Sequence, residues 1–408
     1  MAFSSAKGRA LSAFVAGAAI ALALAAVARG ASKGTVAFGV VLMVAALAAL
    51  CRHRFRCCHT SALSELAELT RSDSVPAEVS RRAAEMRERR RAFEAAQVVQ
   101  PRDETIQELV APRFDCDDPE LLAHVKEYGY AVVSAVASPQ EVACALDLLW
   151  DFMGETANWR RDDPATWTDE SLASVGSSIN GIINGLGAGH SELSWYIRTL
   201  PRVRRTFATL WGTTSLLSSF DGFNIFRPWH HGFRKTVGSW LHVDQGRTKM
   251  GLHAIQGFVA LYDQDARTGG LVVLPRSHHR HEEVLVDASQ LDHVRLPEYC
   301  PVLDMPRRLL VCRAGDLVLW DSRCVHCNTP AFEKPQTPAA RLLRAAVYVC
   351  MTPKRWAPAQ VLRARRLAYE LRQSSSHWPH LPPQGMSHAV KGKQSLDDAS
   401  MEVRALVC

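Results

Sequence analysis

The sequence lacks the marks of several protein classes. Its 408 residues are 47% hydrophobic and 22% charged, which is too apolar for a mainly disordered chain. It also lacks a concentration of one charge sign beyond the N-terminal region. Residues 1–112 carry 15 Lys and Arg against 10 Asp and Glu, so only +2 of the net charge of +7 belongs to later residues. A nucleic-acid groove needs clustered positive charge, and we therefore predict no nucleic-acid partner.

The cysteines lack the pattern of a disulfide framework. There are 11, an odd number at irregular spacings, which indicates reduced thiols. The segment Cys324-Val-His-Cys327 contains residue types that bind zinc, but no second pair of cysteines stands at the spacing of a zinc finger. We therefore do not expect a structural zinc site.

Long apolar runs are present only near the N-terminus. Residues 10–28 and 34–51 are uncharged, and each run is close to the ~20 residues that a helix needs to cross a bilayer. In segment 1–58 we predict one or two transmembrane helices, which would anchor the protein to a membrane with its catalytic part in the cytosol. Two alternatives stay open: the first run is a cleaved signal peptide, or the segment targets the protein to an organelle.

A charged spacer, residues 59–112, is predicted to be partly helical and to connect the anchor to the folded domain. Tethering would raise the local concentration of a membrane-resident substrate. The substrate is therefore expected to be a small molecule or a lipid, with a lipid-like compound favoured.

Residues 113–356 are predicted to form one mainly β domain with flanking helices. Ser138 and Glu141 form a capping box that opens a helix, whereas residues 159–190 are Gly-rich and typical of a long loop. From Phe220 onward, short apolar segments separated by tight turns predict a β-sandwich or jelly roll. A C-terminal helix is expected within residues 357–378 and a disordered tail over residues 379–408.

The motif His242-Val-Asp244 carries the chemistry around which this domain is organised. Residues i and i+2 of a strand project from the same face, so the imidazole and the carboxylate point together. His326, which follows the apolar segment Leu317–Trp320, supplies a third donor. Two imidazoles and one carboxylate leave coordination positions open, which is the arrangement of non-haem Fe(II) oxygenases.

From about residue 115 to residue 353, the sequence resembles the phytanoyl-CoA dioxygenase family. The resemblance is carried by an ordered set of motifs: His242-Val-Asp244, Gly269-Gly-Leu-Val-Val-Leu-Pro-Arg-Ser-His278, Ala314-Gly-Asp-Leu-Val-Leu-Trp320, His326 with Asn328, and the later Arg344. It implies a double-stranded β-helix with Fe(II), 2-oxoglutarate and O2 as cofactors. The iron ligands implied are His242, Asp244 and His326.

The resemblance also implies an arginine that pairs with the distal carboxylate of 2-oxoglutarate. Arg344 is assigned this role because strand residues follow it directly, and Arg341 remains an alternative on the other face of the same strand. Asn224 and Gln256 are expected either to contact 2-oxoglutarate or substrate, or to make buried structural hydrogen bonds. We therefore predict a dioxygenase that hydroxylates an organic substrate and releases succinate and CO2. The alternative is a non-catalytic, membrane-anchored binding protein on the same fold.

Overall fold

The computed structural model describes residues 81, 85, 88, 105–286, 292–383 and 394–408. The first three are helical and exposed, and an ion pair joins Arg81 to Glu85. The remaining described residues form two β-sheets with helices on the outside, which is a jelly-roll-like architecture. The prediction of a mainly β domain with flanking helices is confirmed.

The first sheet has six strands in the order β1-β11-β9-β13-β7-β10, and all its pairs are antiparallel except β1 with β11. Strands β7 and β13, which are far apart in the chain, meet where His242 pairs with His326. The strands are β1 (Ile106–Leu109), β7 (His242–Gln245), β9 (Gly269–Val273), β10 (Asp292–Arg295), β11 (Arg307–Leu310) and β13 (His326–Pro330).

The second sheet has eight strands in the order β2-β3-β12-β8-β14-β6-β4, with β5 paired to β14. Its longest strand is β14, which pairs with β5, β6 and β8. The strands are β2 (Arg113–Phe114), β3 (Tyr130–Val133), β4 (Ile182–Ile183), β5 (Leu216–Ser218), β6 (Phe223–Phe226), β8 (Ile255–Ala260), β12 (Leu317–Asp321) and β14 (Arg344–Pro353).

The α-helices lie mainly before β5 and after β14. They are α1 (Leu121–Tyr128), α2 (Pro139–Ala157), α3 (Asp169–Val175), α4 (Glu192–Thr199), α5 (Pro201–Trp211), α6 (His281–Val284), α7 (Ala359–Glu370) and α8 (Met401–Val407). Helix α2 begins with the predicted capping box: Ser138 Oγ accepts from the Glu141 amide, and the Glu141 carboxylate accepts from the Ser138 amide.

Strand alternation divides the apolar residues between two sides of the second sheet. In β8, Phe258 and Ala260 face the space between the sheets, where they pack with Leu271 of the first sheet. Ile255 and Val259 face the opposite way and join the core formed with the helices. Because alternate residues of a strand share a face, Gln256 lies on the same face as Phe258 and also points between the sheets.

The structure differs from the sequence predictions in three segments. Strand β1 pairs with β11, so the domain begins before residue 113. Segment 159–190, predicted as a loop, contains α3 and the short strand β4, which pairs with β6. The tail predicted as disordered contains α8, whose Leu406 and Val407 are buried. Short elements such as β4 lack a hydrophobic period long enough to be recognised locally.

The prediction of transmembrane helices is corrected by the structure. Within the described ranges, no helix combines the length and the apolar character needed to cross a bilayer. The predicted transmembrane helices, the membrane-anchored location and the cytosolic placement of the catalytic part therefore do not stand. The two apolar runs on which they depended, with the rest of segment 1–58 and most of the spacer, lie outside the described residues.

Candidate active site

Two neighbouring strands of the first sheet bring His242, Asp244 and His326 together in the interior. His242 and Asp244 lie on β7 with Val243 between them, so both side chains project from one face. His326 opens β13 directly opposite His242. All three are buried, with 3%, 8% and 4% of their surface exposed. The sheet pairing thus gathers residues that the sequence keeps far apart.

The donor atoms of these three side chains converge on one point. Asp244 Oδ1 lies 3.3 Å from His242 Nε2, and Asp244 Oδ2 lies 3.2 Å from His326 Nε2. One nitrogen or oxygen from each residue lies within 4.8 Å of the other two. Such a cluster of imidazole and carboxylate donors fits a divalent transition metal with open coordination positions.

Backbone carbonyls orient both imidazoles. His326 Nδ1 lies 2.9 Å from the Cys324 carbonyl, and His242 Nδ1 lies 3.3 Å from the Trp240 carbonyl. Because a carbonyl oxygen only accepts, each Nδ1 carries the proton and each Nε2 presents its lone pair to the cluster. The indole of Trp240 also stacks on His242, with ring centroids 4.9 Å apart.

The protonation states of His242 and Asp244 at neutral pH are those that metal ligands require. Burial, followed by the neighbouring imidazole of His326, lowers the pKa of His242 from 6.5 to about 4. Burial by itself raises the pKa of Asp244, but His377, His242 and His326 outweigh it and hold this pKa well below 3.8. At pH 7 His242 is therefore neutral and Asp244 ionised, as ligands of a metal must be.

Gln256 supports the carboxylate from the opposite sheet. Its Nε2 donates to Asp244 Oδ2 at 2.6 Å, and its own side chain is buried. The sequence left open whether Gln256 contacts a cofactor or makes a buried hydrogen bond, and its hydrogen bond in the structure is to Asp244. Such partners orient a ligand and tune its basicity.

Arg344 is the first residue of β14 and is fully buried. Its Nε donates to Gln264 Oε1 at 3.0 Å and its Nη1 donates to Asn224 Oδ1 at 2.5 Å. Its Nη2 is buried and has no hydrogen-bond partner of good geometry among the described residues, and the phenol of Tyr348 lies close to the guanidinium. The guanidinium lies 4.8 Å from the Phe258 ring, and its burial lowers its pKa below the usual 12.5.

Arg341, the alternative candidate, precedes the strand and is exposed. Its guanidinium lies 4.7 Å from the ring of Tyr262. The two arginines therefore do not lie on opposite faces of one strand, as the sequence suggested. Asn224 makes the buried structural hydrogen bonds that were one of its two predicted roles. It accepts from Arg344 and donates to the carbonyl of Asn180 at 2.9 Å.

A cavity of about 300 Å³ opens onto the three converging donors. Its described lining combines seven aromatic or aliphatic side chains with twelve polar or ionisable ones and one glycine. The lining residues are Ile182, Asn184, Asp221, Gly222, Trp240, His242, Asp244, Gln256, Phe258, Leu271, Asp292, His293, Trp320, His326, Asn328, Tyr348, Ser375, Ser376, His377 and Trp378.

Sequence reasoning did not identify two of the imidazoles in this cavity. His293 lies across from Asp244 in the pairing of β10 with β7, and its Nδ1 is 3.8 Å from Asp244 Oδ1. Its φ of 53° is left-handed, which is uncommon for a residue other than glycine. His377 comes from the segment after α7. Neither residue stands in a local motif, so no sequence signal pointed to them.

The zinc interpretation of Cys324 and Cys327 finds no support in the structure. Both thiols are buried, and burial raises the pKa of each to about 12. His278 is also engaged elsewhere, since its Nε2 lies 2.8 Å from the Lys126 carbonyl. Among the described residues, neither cysteine belongs to a cluster of metal-binding groups.

Comparison with known proteins identifies the family. The family model described as phytanoyl-CoA dioxygenase (PhyH) matches residues 125–330. The Ava biosynthesis cluster protein O of Aspergillus versicolor is 29% identical over 269 residues, which cover 62% of this chain and 83% of that protein.

Two solved structures are also similar to the chain. The non-heme alpha ketoglutarate dependent carbocyclase SnoK from nogalamycin biosynthesis is 20% identical, covers 59% of this chain and 86% of its own, and has a TM-score of 0.43. The epimerase SnoN in complex with Fe3+, alpha ketoglutarate and nogalamycin RO is 20% identical, covers 57% and 82%, and has a TM-score of 0.37. Because the family model matches half of the chain, the protein belongs to the phytanoyl-CoA dioxygenase family and is a 2-oxoglutarate-dependent non-haem iron enzyme whose cofactors are Fe(II), 2-oxoglutarate and O2.

Proposed function

We propose that His242, Asp244 and His326 hold the Fe(II) and that the enzyme hydroxylates a small, largely apolar organic substrate. The observation that carries this proposal is that one donor atom from each of the three buried residues lies within 4.8 Å of the other two. When bound, Fe(II) and 2-oxoglutarate supply the oxidation: one atom of O2 enters succinate as CO2 leaves, and the other enters the hydroxylated product.

Arg344 is proposed to bind the distal carboxylate of 2-oxoglutarate. Its buried Nη2 has no hydrogen-bond partner of good geometry among the described residues, and a guanidinium is suited to hold a carboxylate through charge-assisted hydrogen bonds. Gln264 and Asn224 hold Nε and Nη1, so they fix the direction in which Nη2 points. This buried nitrogen without a partner therefore fits one carboxylate of a bound anion.

The cavity lining supports an uncharged substrate with apolar parts. None of the described lining residues is Lys or Arg, and the aromatic ones offer apolar contacts. The lining carboxylates other than Asp244 already have cationic partners: Asp221 lies 3.3 Å from Arg198, and Asp292 lies 2.7 Å from Lys249. Aromatic walls exclude water and position a C–H bond near the metal-binding donors. Tethering to a membrane is not used here as a reason for an apolar substrate. No nucleic acid is expected as a partner.

Succinate release by the full-length protein tests the proposal. With Fe(II), 2-oxoglutarate and O2 the wild type should form succinate, and Ala in place of His242, Asp244 or His326 should abolish it. His279→Ala is the matched control, because His279 is an exposed imidazole outside the cavity. Full turnover in any of the three Ala variants would refute the proposed ligand set.

A further inference from the structure

The C-terminal segment 373–380 forms one wall of the active-site cavity, although it lies outside the residues matched by the family model. It contributes Ser375, Ser376, His377 and Trp378 to the lining. The segment follows α7 and has no regular secondary structure over most of its length. Its position therefore depends on individual contacts.

Hydrogen bonds hold this wall at both ends. At its start, the Gln373 carbonyl lies 3.0 Å from His190 Nε2, and Ser374 Oγ accepts from the Gly189 amide at 3.0 Å. The Ser375 amide donates to the Phe220 carbonyl at 2.9 Å. At its end, the Pro379 carbonyl accepts from Arg365 at 3.0 Å.

Arg365 joins this end of the wall to the rest of the fold. It is 1% exposed, and it also donates to the carbonyls of Ser218, Leu406 and Val407 at 2.7–2.9 Å. Trp378 is buried against Ala254 and Cys350 in the sandwich. The wall is thus a fixed part of the cavity, and its side chains have defined positions.

His377 is the polar group that this wall leaves available. Its Nε2 is buried, and no described residue lies within hydrogen-bonding distance of it. A buried imidazole nitrogen without a partner is destabilising unless something else satisfies it. The carboxylates that act on His377 are Asp244, Asp221 and Asp292. Asp244 belongs to the converging donors and accepts from Gln256, and Asp221 and Asp292 have Arg198 and Lys249 as partners. An uncharged polar group is therefore the fitting complement to His377.

We propose that His377 binds a hydroxyl group of the substrate and so determines which apolar molecules the enzyme accepts. A hydroxyl both donates and accepts, so it satisfies Nε2 in either tautomer of the ring. The apolar remainder of the substrate would lie against Trp240, Phe258 and Trp378. This inference deepens the proposed function and rests on it for the identity of the cavity as the substrate site.

Two probes of nearly equal size test the role of His377: benzyl alcohol, which has a hydroxyl, and toluene, which lacks one. Full-length protein is titrated anaerobically with Fe(II) and 2-oxoglutarate present, and binding is followed by tryptophan fluorescence, because Trp240, Trp320 and Trp378 line the cavity. His377→Ala should weaken benzyl alcohol about fivefold, the factor that one hydrogen bond of ~1 kcal/mol provides. Toluene affinity should change less than twofold. His377→Gln, which keeps a polar group, should restore most of the loss, and His279→Ala should change neither affinity.

Equal weakening of both probes by His377→Ala would show that the ring only packs, and would overturn the proposal. No change for either probe, or no saturable binding of benzyl alcohol to the wild type, would also overturn it. The same titration is repeated without Fe(II) and 2-oxoglutarate, so the test does not depend on turnover. Failure of the proposed function has a different signature, which is a wild type that releases no iron-dependent succinate.

Discussion

Replacing Arg344 by Lys separates charge from geometry at the proposed 2-oxoglutarate site. The guanidinium of Arg344 donates from Nε to Gln264 and from Nη1 to Asn224, which leaves Nη2 for the cosubstrate. A lysine keeps the positive charge but has a single nitrogen on a shorter reach. It cannot hold both neighbours and also contact the carboxylate.

The expected loss follows from the hydrogen bond to the carboxylate. Hydrogen bonds to charged groups contribute ~1.5–3 kcal/mol, and each 1.4 kcal/mol corresponds to a factor of ten. Arg344→Lys should therefore weaken 2-oxoglutarate binding about 10- to 150-fold while Fe(II) still binds, since no metal-binding donor is changed. Arg341→Lys is the matched control, because Arg341 is exposed and lies over Tyr262. Its 2-oxoglutarate affinity should equal that of the wild type.

Anaerobic titration of 2-oxoglutarate into Fe(II)-loaded protein measures this affinity through the absorbance of the complex. Fe(II) binding is measured separately, and far-ultraviolet circular dichroism checks that each variant is folded. A 2-oxoglutarate affinity within threefold of the wild type in Arg344→Lys would refute the assigned role. Weakening in Arg341→Lys alone would transfer the role to that residue.

Two further predictions concern groups around the site. Gln256→Leu removes the 2.6 Å hydrogen bond to Asp244 and should lower Fe(II) affinity about 10- to 100-fold, as judged by competition with a chelator; an unchanged affinity would contradict the supporting role of Gln256. Burial lowers the pKa of His190 from 6.5 to about 3. Below pH 6.5 the His190 imidazole is therefore protonated in the unfolded chain but stays neutral in the folded protein. Stability should therefore fall with decreasing pH, by ~2 kcal/mol at pH 5 from this residue alone, and urea denaturation at pH 7.5 and 5 should show a smaller decrease for His190→Gln than for the wild type. An identical decrease in both proteins would argue against the buried neutral imidazole.

The parts of the site that lie in one strand were predictable from the sequence. The spacing of His242 and Asp244 predicted that both side chains project from the same face, because every second side chain of a strand points the same way. The capping box of Ser138 and Glu141 is also a local signal, and it was found as expected. His326 was predicted as the third donor from its place after the segment Leu317–Trp320, but its pairing with His242 was not, since local patterns carry no information on which strands pair.

The remaining features depend on contacts between distant segments. His377 enters the cavity because Arg365 and Gly189 hold its segment, and neither contact leaves a trace in the local sequence. The predicted position of Arg341 was wrong for a related reason, because β14 begins at Arg344 and does not include Arg341. Strand limits are set by pairing partners, here Phe226 of β6, as much as by propensity.

The pairing of β7 with β13 also has a kinetic consequence. His242 and His326 lie far apart in the chain, and such non-local pairings are slow to form. Helices such as α2, which form from local contacts, should appear earlier during refolding. Metal capture would then be a late event in refolding, and the time course of Fe(II) binding would report when β7 and β13 have paired.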